Sequence, residues 1–217
     1  VIESRGLGDV YKRQSLIINT YYIFKCDEKD RISVNKEIEK KYSMSLVKNL
    51  MIKISKTLNT NILHTSSHSF EPAGVSLTSV IESNEPMFGS SSVAHLRESH
   101  ISFHSYFENM LKDIIIMRLE LHISSCSRKS VYFSFNDLSK NSLFENYDAI
   151  TIDYFHRGLS LEDLDENRDD LLKIYLQEKN ISYELIDETK TNSFVSLKLI
   201  KNKDKISPSL TYETLYN

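Results

Sequence analysis

Apolar residues along much of the chain recur at every second position, which is the spacing of a β-strand with one buried face. The clearest example is 115–124, where Ile, Met and Leu at odd positions alternate with mainly polar residues at even ones. Runs rich in β-branched and aromatic residues predict further strands. These runs cover residues 15–24, 60–66, 75–83, 149–155, 181–186 and 194–201.

Helical spacing occurs in fewer places. Between Ser43 and Leu58, apolar residues three and four positions apart predict one face of an amphipathic helix. That face consists of Leu46, Val47, Leu50, Met51 and Ile54. Acidic residues after Ser160 predict a second helix over 160–178, and 134–147 predicts a short helix or loop. Because strands outnumber helices and most connections are short, we expect an α+β fold in which helices cover one face of an antiparallel sheet.

The first fourteen residues are expected not to be native protein. The string 4-SRGLGDVYKRQ-14 matches the in-frame translation of a transposase-type sequencing adapter, and the composition changes directly after it. We therefore exclude 1–14 from fold reasoning and expect that the native N-terminus is missing. The remaining 15–217 are predicted to form a single domain.

Charge and hydropathy exclude several classes of function. The formal net charge of −3 gives no electrostatic case for binding a nucleic-acid backbone. The longest apolar runs fall far short of the ~20 residues that a membrane-spanning helix needs, so no membrane partner is predicted. Two cysteines, Cys26 and Cys126, do not make a disulfide framework, and a cytoplasmic location is expected.

Side chains that could take part in catalysis are concentrated in 95-HLRESHISFHSYFE-108, which holds an acid, a serine and two histidines in a short apolar run. Three other motifs accompany it: 70-FEPAGVS-76, 121-LHISSCS-127 and 148-DAITIDYFHRG-158. Together, and in this order, the four motifs resemble those of the bacterial S-adenosylmethionine decarboxylase proenzymes, which are pyruvoyl-dependent and self-cleaving. The resemblance extends from about Asn61 to Leu164.

The resemblance implies that the chain cleaves itself between Glu98 and Ser99 into a β chain (to 98) and an α chain (from 99). The Ser99 hydroxyl would attack the Glu98 carbonyl, and elimination and hydrolysis would leave a pyruvoyl group in place of Ser99. His104 matches the processing base, since a neutral imidazole accepts a proton at cellular pH. Ser76 matches the hydroxyl residue that stabilises the processing intermediate.

The resemblance also implies a substrate and a product. The pyruvoyl group would form a Schiff base with S-adenosyl-L-methionine and act as the electron sink for its decarboxylation to S-adenosylmethioninamine, which feeds spermidine biosynthesis. Cys126 matches the general acid, Phe70 the aromatic residue that stacks on adenine, and Glu108 the acid that binds the ribose hydroxyls. An α/β sandwich, a homo-oligomer of α/β heterodimers and activation by Mg²⁺ are implied as well, although no acidic cluster identifies a metal site.

Two departures from the family pattern concern local loop geometry: Phe107 replaces the usual proline and Ser127 the usual glycine. Two other functions remain open. One is a pyruvoyl-dependent arginine or ornithine decarboxylase of the same fold, in which Phe70 and Glu108 would have no nucleoside to bind. The other is a non-catalytic regulatory paralogue, which would be expected to lose Ser99, His104 or Cys126. Without the motifs, each of these side chains would be interpreted as an ordinary strand, turn or surface residue.

Overall fold

The computed structural model describes residues 13–69, 75–83, 99–111, 113–125, 130–157, 184–191 and 194–201. Within them, eight strands form one antiparallel sheet with the order β2-β3-β4-β5-β1-β6-β8-β7. The strands are β1 Arg13–Lys25, β2 Thr60–Ser69, β3 Val75–Ser83, β4 Ser99–Leu111, β5 Ile114–Ser125, β6 Ala149–Arg157, β7 Glu184–Lys190 and β8 Phe194–Ile200. The predicted antiparallel α+β fold is thus confirmed.

Three α-helices are described: α1 Arg31–Lys41, α2 Met44–Thr57 and α3 Ser134–Ser139. Short 3-10 helices lie at Glu28–Asp30, Val131–Phe133 and Ser142–Phe144. Helix α2 ends where Asn59 adopts a left-handed backbone conformation with φ 56°, a conformation that asparagine tolerates better than most residues. No described helix has the length and apolar character required to cross a bilayer.

The main hydrophobic core lies between the helices and one face of the sheet. Helix α2 contributes Val47, Leu50, Met51 and Ile54, which are almost completely buried. At the centre of the sheet, Leu121 on β5 lies opposite Ile18 on β1 and Phe103 on β4, and all three are buried. One helix-facing row thus crosses three adjacent strands, as the period-two pattern of β5 predicts.

Burial differs from the sequence prediction at two places. Leu46, which was assigned to the apolar face of α2, is 36% exposed because it lies at the margin of that face. On β5, Ile114 and Ile116 at even positions are buried too, in a second apolar cluster that contains residues from β1, β6 and β8. The cluster consists of Tyr21, Ile23, Ile114, Ile116, Ala149 and Ile200. The second face of the sheet is therefore apolar at one end.

Asp148, the first residue of the motif 148–158, connects β6 to β1. Its buried carboxylate accepts a hydrogen bond from the Ile23 N–H at 2.8 Å, and its own N–H donates to the Tyr21 carbonyl oxygen at 2.8 Å. A buried carboxylate is stabilised by such N–H donors. This part of the motif therefore has a structural role at the start of β6.

Strand β1 begins within the segment that was assigned to the sequencing adapter. Arg13 pairs with Arg157, and Gln14 pairs with Ser125 and is buried. The side-chain oxygen of Gln14 accepts a hydrogen bond from the Val131 N–H. Residues 1–12 of the predicted adapter segment lie outside the described residues, and so does the helix predicted over 160–178.

Candidate active site

The candidate site is built on the three neighbouring strands β3, β4 and β5. Along β4, Ile101 and Phe103 are buried in the main core, whereas His100, Ser102, His104 and Tyr106 alternate with them and are partly exposed. Arg118, Glu120 and His122 on β5 are partly exposed in the same alternating way. We call this set of seven residues the polar face: His100, Ser102, His104, Tyr106, Arg118, Glu120 and His122.

The strand register brings Ser76 and His104 together. Ser76 on β3 lies directly opposite His104 on β4, and on its other side His104 lies directly opposite Glu120 on β5. Directly opposed residues of antiparallel strands have Cβ atoms about 4.5–5.5 Å apart. Two residues to which the resemblance gives processing roles are therefore immediate neighbours, although 70-FEPAGVS-76 and the His104 motif are separate in sequence.

A second juxtaposition occurs where β4 begins and β5 ends. Ser99 is the first residue of β4 and lies opposite Ile81, while the next residue, His100, lies opposite Ser124 on β5. Strand β5 ends at Ser125, so the chain enters Cys126 at the same end of the sheet as Ser99. Cys126 itself, like Glu98 and Phe70, lies outside the described residues.

These two juxtapositions are separated along β4. Five residues of extended strand, at about 3.3 Å per residue, span ~16 Å between the Ser99 and His104 positions. Glu108 lies four residues beyond His104, opposite Ile116, toward the end of the sheet where 70–74 connect β2 to β3. One group of candidate positions thus contains Ser76, His104 and Glu108, and the other contains Ser99 next to the strand end that precedes Cys126.

The structure identifies side chains around His104 that the sequence analysis did not single out. The Tyr106 ring stacks on the His104 ring with a centroid distance of 5.8 Å and an interplanar angle of 17°. The Arg118 guanidinium carbon lies 4.8 Å from the centroid of the Tyr106 ring. The signal was present in the sequence, because polar residues at even positions of β4 and β5 mark one face of the sheet.

Histidines also contact each other nearer to Ser99. The rings of His100 and His122 meet edge to face at a centroid distance of 4.8 Å. His100 would be the first residue after the new chain start if cleavage occurs at Ser99. The polar face therefore carries imidazole groups at two places, at His104 and, nearer to the start of β4, at His100 and His122.

Charges on the polar face affect Tyr106. Burial raises the pKa of Tyr106, the negative charge of Glu120 raises it further, and the positive charge of Arg118 lowers it. The phenol therefore remains protonated at neutral pH and is available as a hydrogen-bond donor.

The resemblance implies activation by Mg²⁺. Among the described residues, no three His, Cys, Asp or Glu side chains converge in a way that would hold a metal ion.

Several known proteins that are similar to this chain are described as S-adenosylmethionine decarboxylases. The family model for S-adenosylmethionine decarboxylase matches residues 34–116. An S-adenosylmethionine decarboxylase proenzyme of Alcanivorax borkumensis is 25% identical over 227 residues, which cover 94% of this chain and 80% of the relative. The corresponding proenzyme of Hahella chejuensis is 28% identical over 173 residues, which cover 73% of this chain and 64% of the relative. This chain is thus similar to S-adenosylmethionine decarboxylase proenzymes over most of its length.

Two further similar proteins are another proenzyme and a solved structure. A proenzyme of Pseudoalteromonas translucida is 30% identical over 148 residues, 61% of this chain, and the chain spans about half of that relative, 53%. A crystal structure of the adenosylmethionine decarboxylase from Aquifex aeolicus is 14% identical with a TM-score of 0.38, and the match covers 71% of this chain and 97% of that one. The fold of this chain is defined by the pairing of its own eight described strands.

The region matched by the family model contains most of the candidate positions. Phe70, Ser76, Glu98, Ser99, His104 and Glu108 fall within 34–116, and Cys126 lies ten residues beyond it. The part of the chain that is similar to this family therefore includes the candidate cleavage bond.

Proposed function

We propose that the chain is the proenzyme of a pyruvoyl-dependent S-adenosylmethionine decarboxylase, which cleaves itself between Glu98 and Ser99. The observation that carries this proposal is the register of β3, β4 and β5. It places Ser76 opposite His104 and begins β4 at Ser99. The cleavage bond would thus lie directly before the first residue of β4, a strand that is paired with β3 and β5.

Self-cleavage starts with the Ser99 hydroxyl. Its oxygen attacks the Glu98 carbonyl carbon, the amide becomes an ester, and the proton passes to a base. Removal of the Ser99 α-proton then expels the Glu98 carboxylate as the upstream chain, and water hydrolyses the remaining imine with loss of ammonia. His104 is the proposed base, and the Ser76 hydroxyl donates a hydrogen bond to the oxyanion of the first step.

The group formed in place of Ser99 supplies an electron sink for decarboxylation when the substrate amine is bound. The remaining tasks belong to side chains of the protein. Cys126 returns a proton to the α-carbon, since a thiol with an ordinary pKa near 8.5 is still protonated at neutral pH. Phe70 stacks on the adenine ring, and Glu108 accepts hydrogen bonds from the ribose hydroxyls.

The separation of ~16 Å between the His104 and Ser99 positions has a consequence for assembly. While β4 is continuous from Ser99 to Leu111, an imidazole at position 104 is too far from the 98–99 bond of its own chain. We propose a homo-oligomer of α/β heterodimers in which His104 and Ser76 of one copy act next to Ser99 of another.

The cellular location and the metal activation are the remaining parts of the proposal. The cytoplasmic location follows from the low cysteine count and the cytoplasmic substrate. Activation by Mg²⁺ has no ligand set among the described residues and is given no role in the chemistry.

Release of the carboxyl carbon tests the proposed function. Purified protein would be incubated with carboxyl-labelled S-adenosylmethionine, arginine or ornithine, and labelled carbon dioxide would be counted. We expect release from S-adenosylmethionine only, and no release by Ser99→Ala. Ser142→Ala is the matched control because Ser142 is exposed in a 3-10 helix away from the polar face. Release from an amino acid alone would instead identify an arginine or ornithine decarboxylase.

A further inference from the structure

The surroundings of His104 on the polar face restrict how its ring can be oriented. Glu120 lies directly opposite His104 on β5. Tyr106 stacks on the imidazole, and the Arg118 guanidinium lies over the Tyr106 ring. All four side chains are partly exposed and belong to two paired strands. The imidazole thus has an aromatic neighbour along its own strand and a carboxylate across the strand pair.

A histidine acts as a base through a ring nitrogen that carries no proton and points at the reacting group. An acceptor for the other N–H fixes both the tautomer and the ring orientation. Glu120 is suited to this role because opposed Cβ atoms lie about 4.5–5.5 Å apart, within the reach of a glutamate side chain. A carboxylate accepts hydrogen bonds and also favours the imidazolium that forms when the base takes up a proton.

Tyr106 and Arg118 limit rotation of the same ring. Stacking of Tyr106 on His104 disfavours imidazole orientations that break the near-parallel contact. The position of Arg118 over Tyr106 adds a cation–π contact that holds the phenol ring in turn. The charges of Glu120 and Arg118 both act on the pKa of Tyr106, so these three side chains are electrostatically coupled.

We propose that Glu120 is a positioning residue for self-cleavage: it holds the His104 imidazole in one tautomer, against the Tyr106–Arg118 stack, so that one ring nitrogen is free to act as the base. This inference rests on the proposed function, since His104 is the processing base only if the chain cleaves itself. Glu120 has no role in the proposed decarboxylation. The expected effect of Glu120 is therefore on the rate at which active enzyme forms.

The first test compares the time course of self-cleavage after synthesis, followed by intact-mass spectrometry, in wild type, Glu120→Gln and Glu120→Asp. Neutralising the orienting acid of a buried serine–histidine–acid triad costs about 10⁴ in rate. Because Glu120 is partly exposed, we expect a smaller loss, about 10²-fold for Glu120→Gln, with partial recovery in Glu120→Asp. The control Asp153→Asn removes a half-buried acid of β6 and is expected to cleave at the wild-type rate.

The second test uses a readout that a merely structural role would not change. Long-range proton–nitrogen NMR spectra of uncleaved Ser99→Ala protein report the tautomer of His104. We expect one tautomer in Ser99→Ala and a mixture of two in Ser99→Ala/Glu120→Gln, with unchanged backbone spectra elsewhere. An identical tautomer in both proteins, or wild-type cleavage by Glu120→Gln, would overturn the proposal.

The two tests separate this inference from the proposed function. If wild-type protein is never cleaved, the proposed function fails. The NMR comparison still decides whether Glu120 fixes the ring, because it is made on protein that does not cleave. If wild type is cleaved and Glu120→Gln is cleaved equally fast, only the positioning role fails.

Discussion

Ser76 and His104 lie directly opposite each other on the paired strands β3 and β4. Their proximity follows from the strand register, because 27 residues separate them along the chain. A hydroxyl donor and an imidazole base at one position of a sheet are the two groups that an acyl shift from nitrogen to oxygen requires.

Replacement of Ser76 tests whether this pair acts in self-cleavage. We expect Ser76→Ala to slow cleavage by about 10²- to 10³-fold, because loss of one donor to an oxyanion typically has an effect of that size. Ser76→Thr keeps the hydroxyl and should cleave faster than Ser76→Ala. Intact-mass spectrometry over time measures both. Equal rates for Ser76→Ala and wild type would remove Ser76 from the mechanism.

Complementation between two defective chains tests the contribution of a second copy. Chains carrying Ser99→Ala and His104→Ala, with tags of different mass, would be co-expressed and their cleavage followed by mass. We expect the His104→Ala chain to be cleaved only when the Ser99→Ala chain is present to supply His104. If the His104→Ala chain stays intact in the mixture, His104 acts within its own chain and β4 must rearrange before cleavage.

Much of the sheet was predictable because its strands carry a one-sided apolar pattern. The odd positions of β5 were predicted to be buried, and Leu119, Leu121 and Ile123 are fully buried. Helix α1 was not predicted: among its side chains that the structure describes, the buried ones are Asn35 and Ile38. Such a sparse apolar face does not produce a clear helical period.

The resemblance names candidate site residues, but their arrangement in space could not be predicted from the sequence. The motifs identified Ser76, Ser99 and His104 through resemblance, yet the distance between Ser99 and His104 depends on β4 being extended through both. The roles of Tyr106 and Glu120 depend on which strand pairs with β4 and in which register. A single sequence does not fix register between strands that are distant along the chain.

The buried carboxylate of Asp148 is expected to contribute to stability. Asp148→Ala leaves the buried Ile23 N–H without its acceptor, which should lower the free energy of unfolding by about 1–3 kcal/mol. Urea denaturation at neutral pH measures this change. Asp153→Ala, at a half-buried position of the same strand, is the control and should have a smaller effect. Equal losses of unfolding free energy in the two variants would mean that the hydrogen bond from the Ile23 N–H makes no particular contribution to stability.

Tyr42 is expected to make the fold sensitive to alkali. Burial raises its pKa from 10.0 to about 12, while a hydrogen bond with Tyr22 lowers it and the charge of Asp148 raises it. Between these values the unfolded chain loses the phenol proton before the folded chain does, so stability falls as the pH rises from about 10 to 12. Melting temperatures at several pH values should show a shallower fall for Tyr42→Phe. Parallel curves for both proteins would contradict this assignment.

The most direct test of self-processing is the mass of the purified, denatured chain. We expect two species: one ending at Glu98 and one beginning with a pyruvoyl group in place of Ser99, which blocks N-terminal sequencing. The Ser99→Ala protein should give a single species of full length. A single full-length wild-type species, unchanged after prolonged incubation, would contradict the account that this chain cuts itself to make its own cofactor.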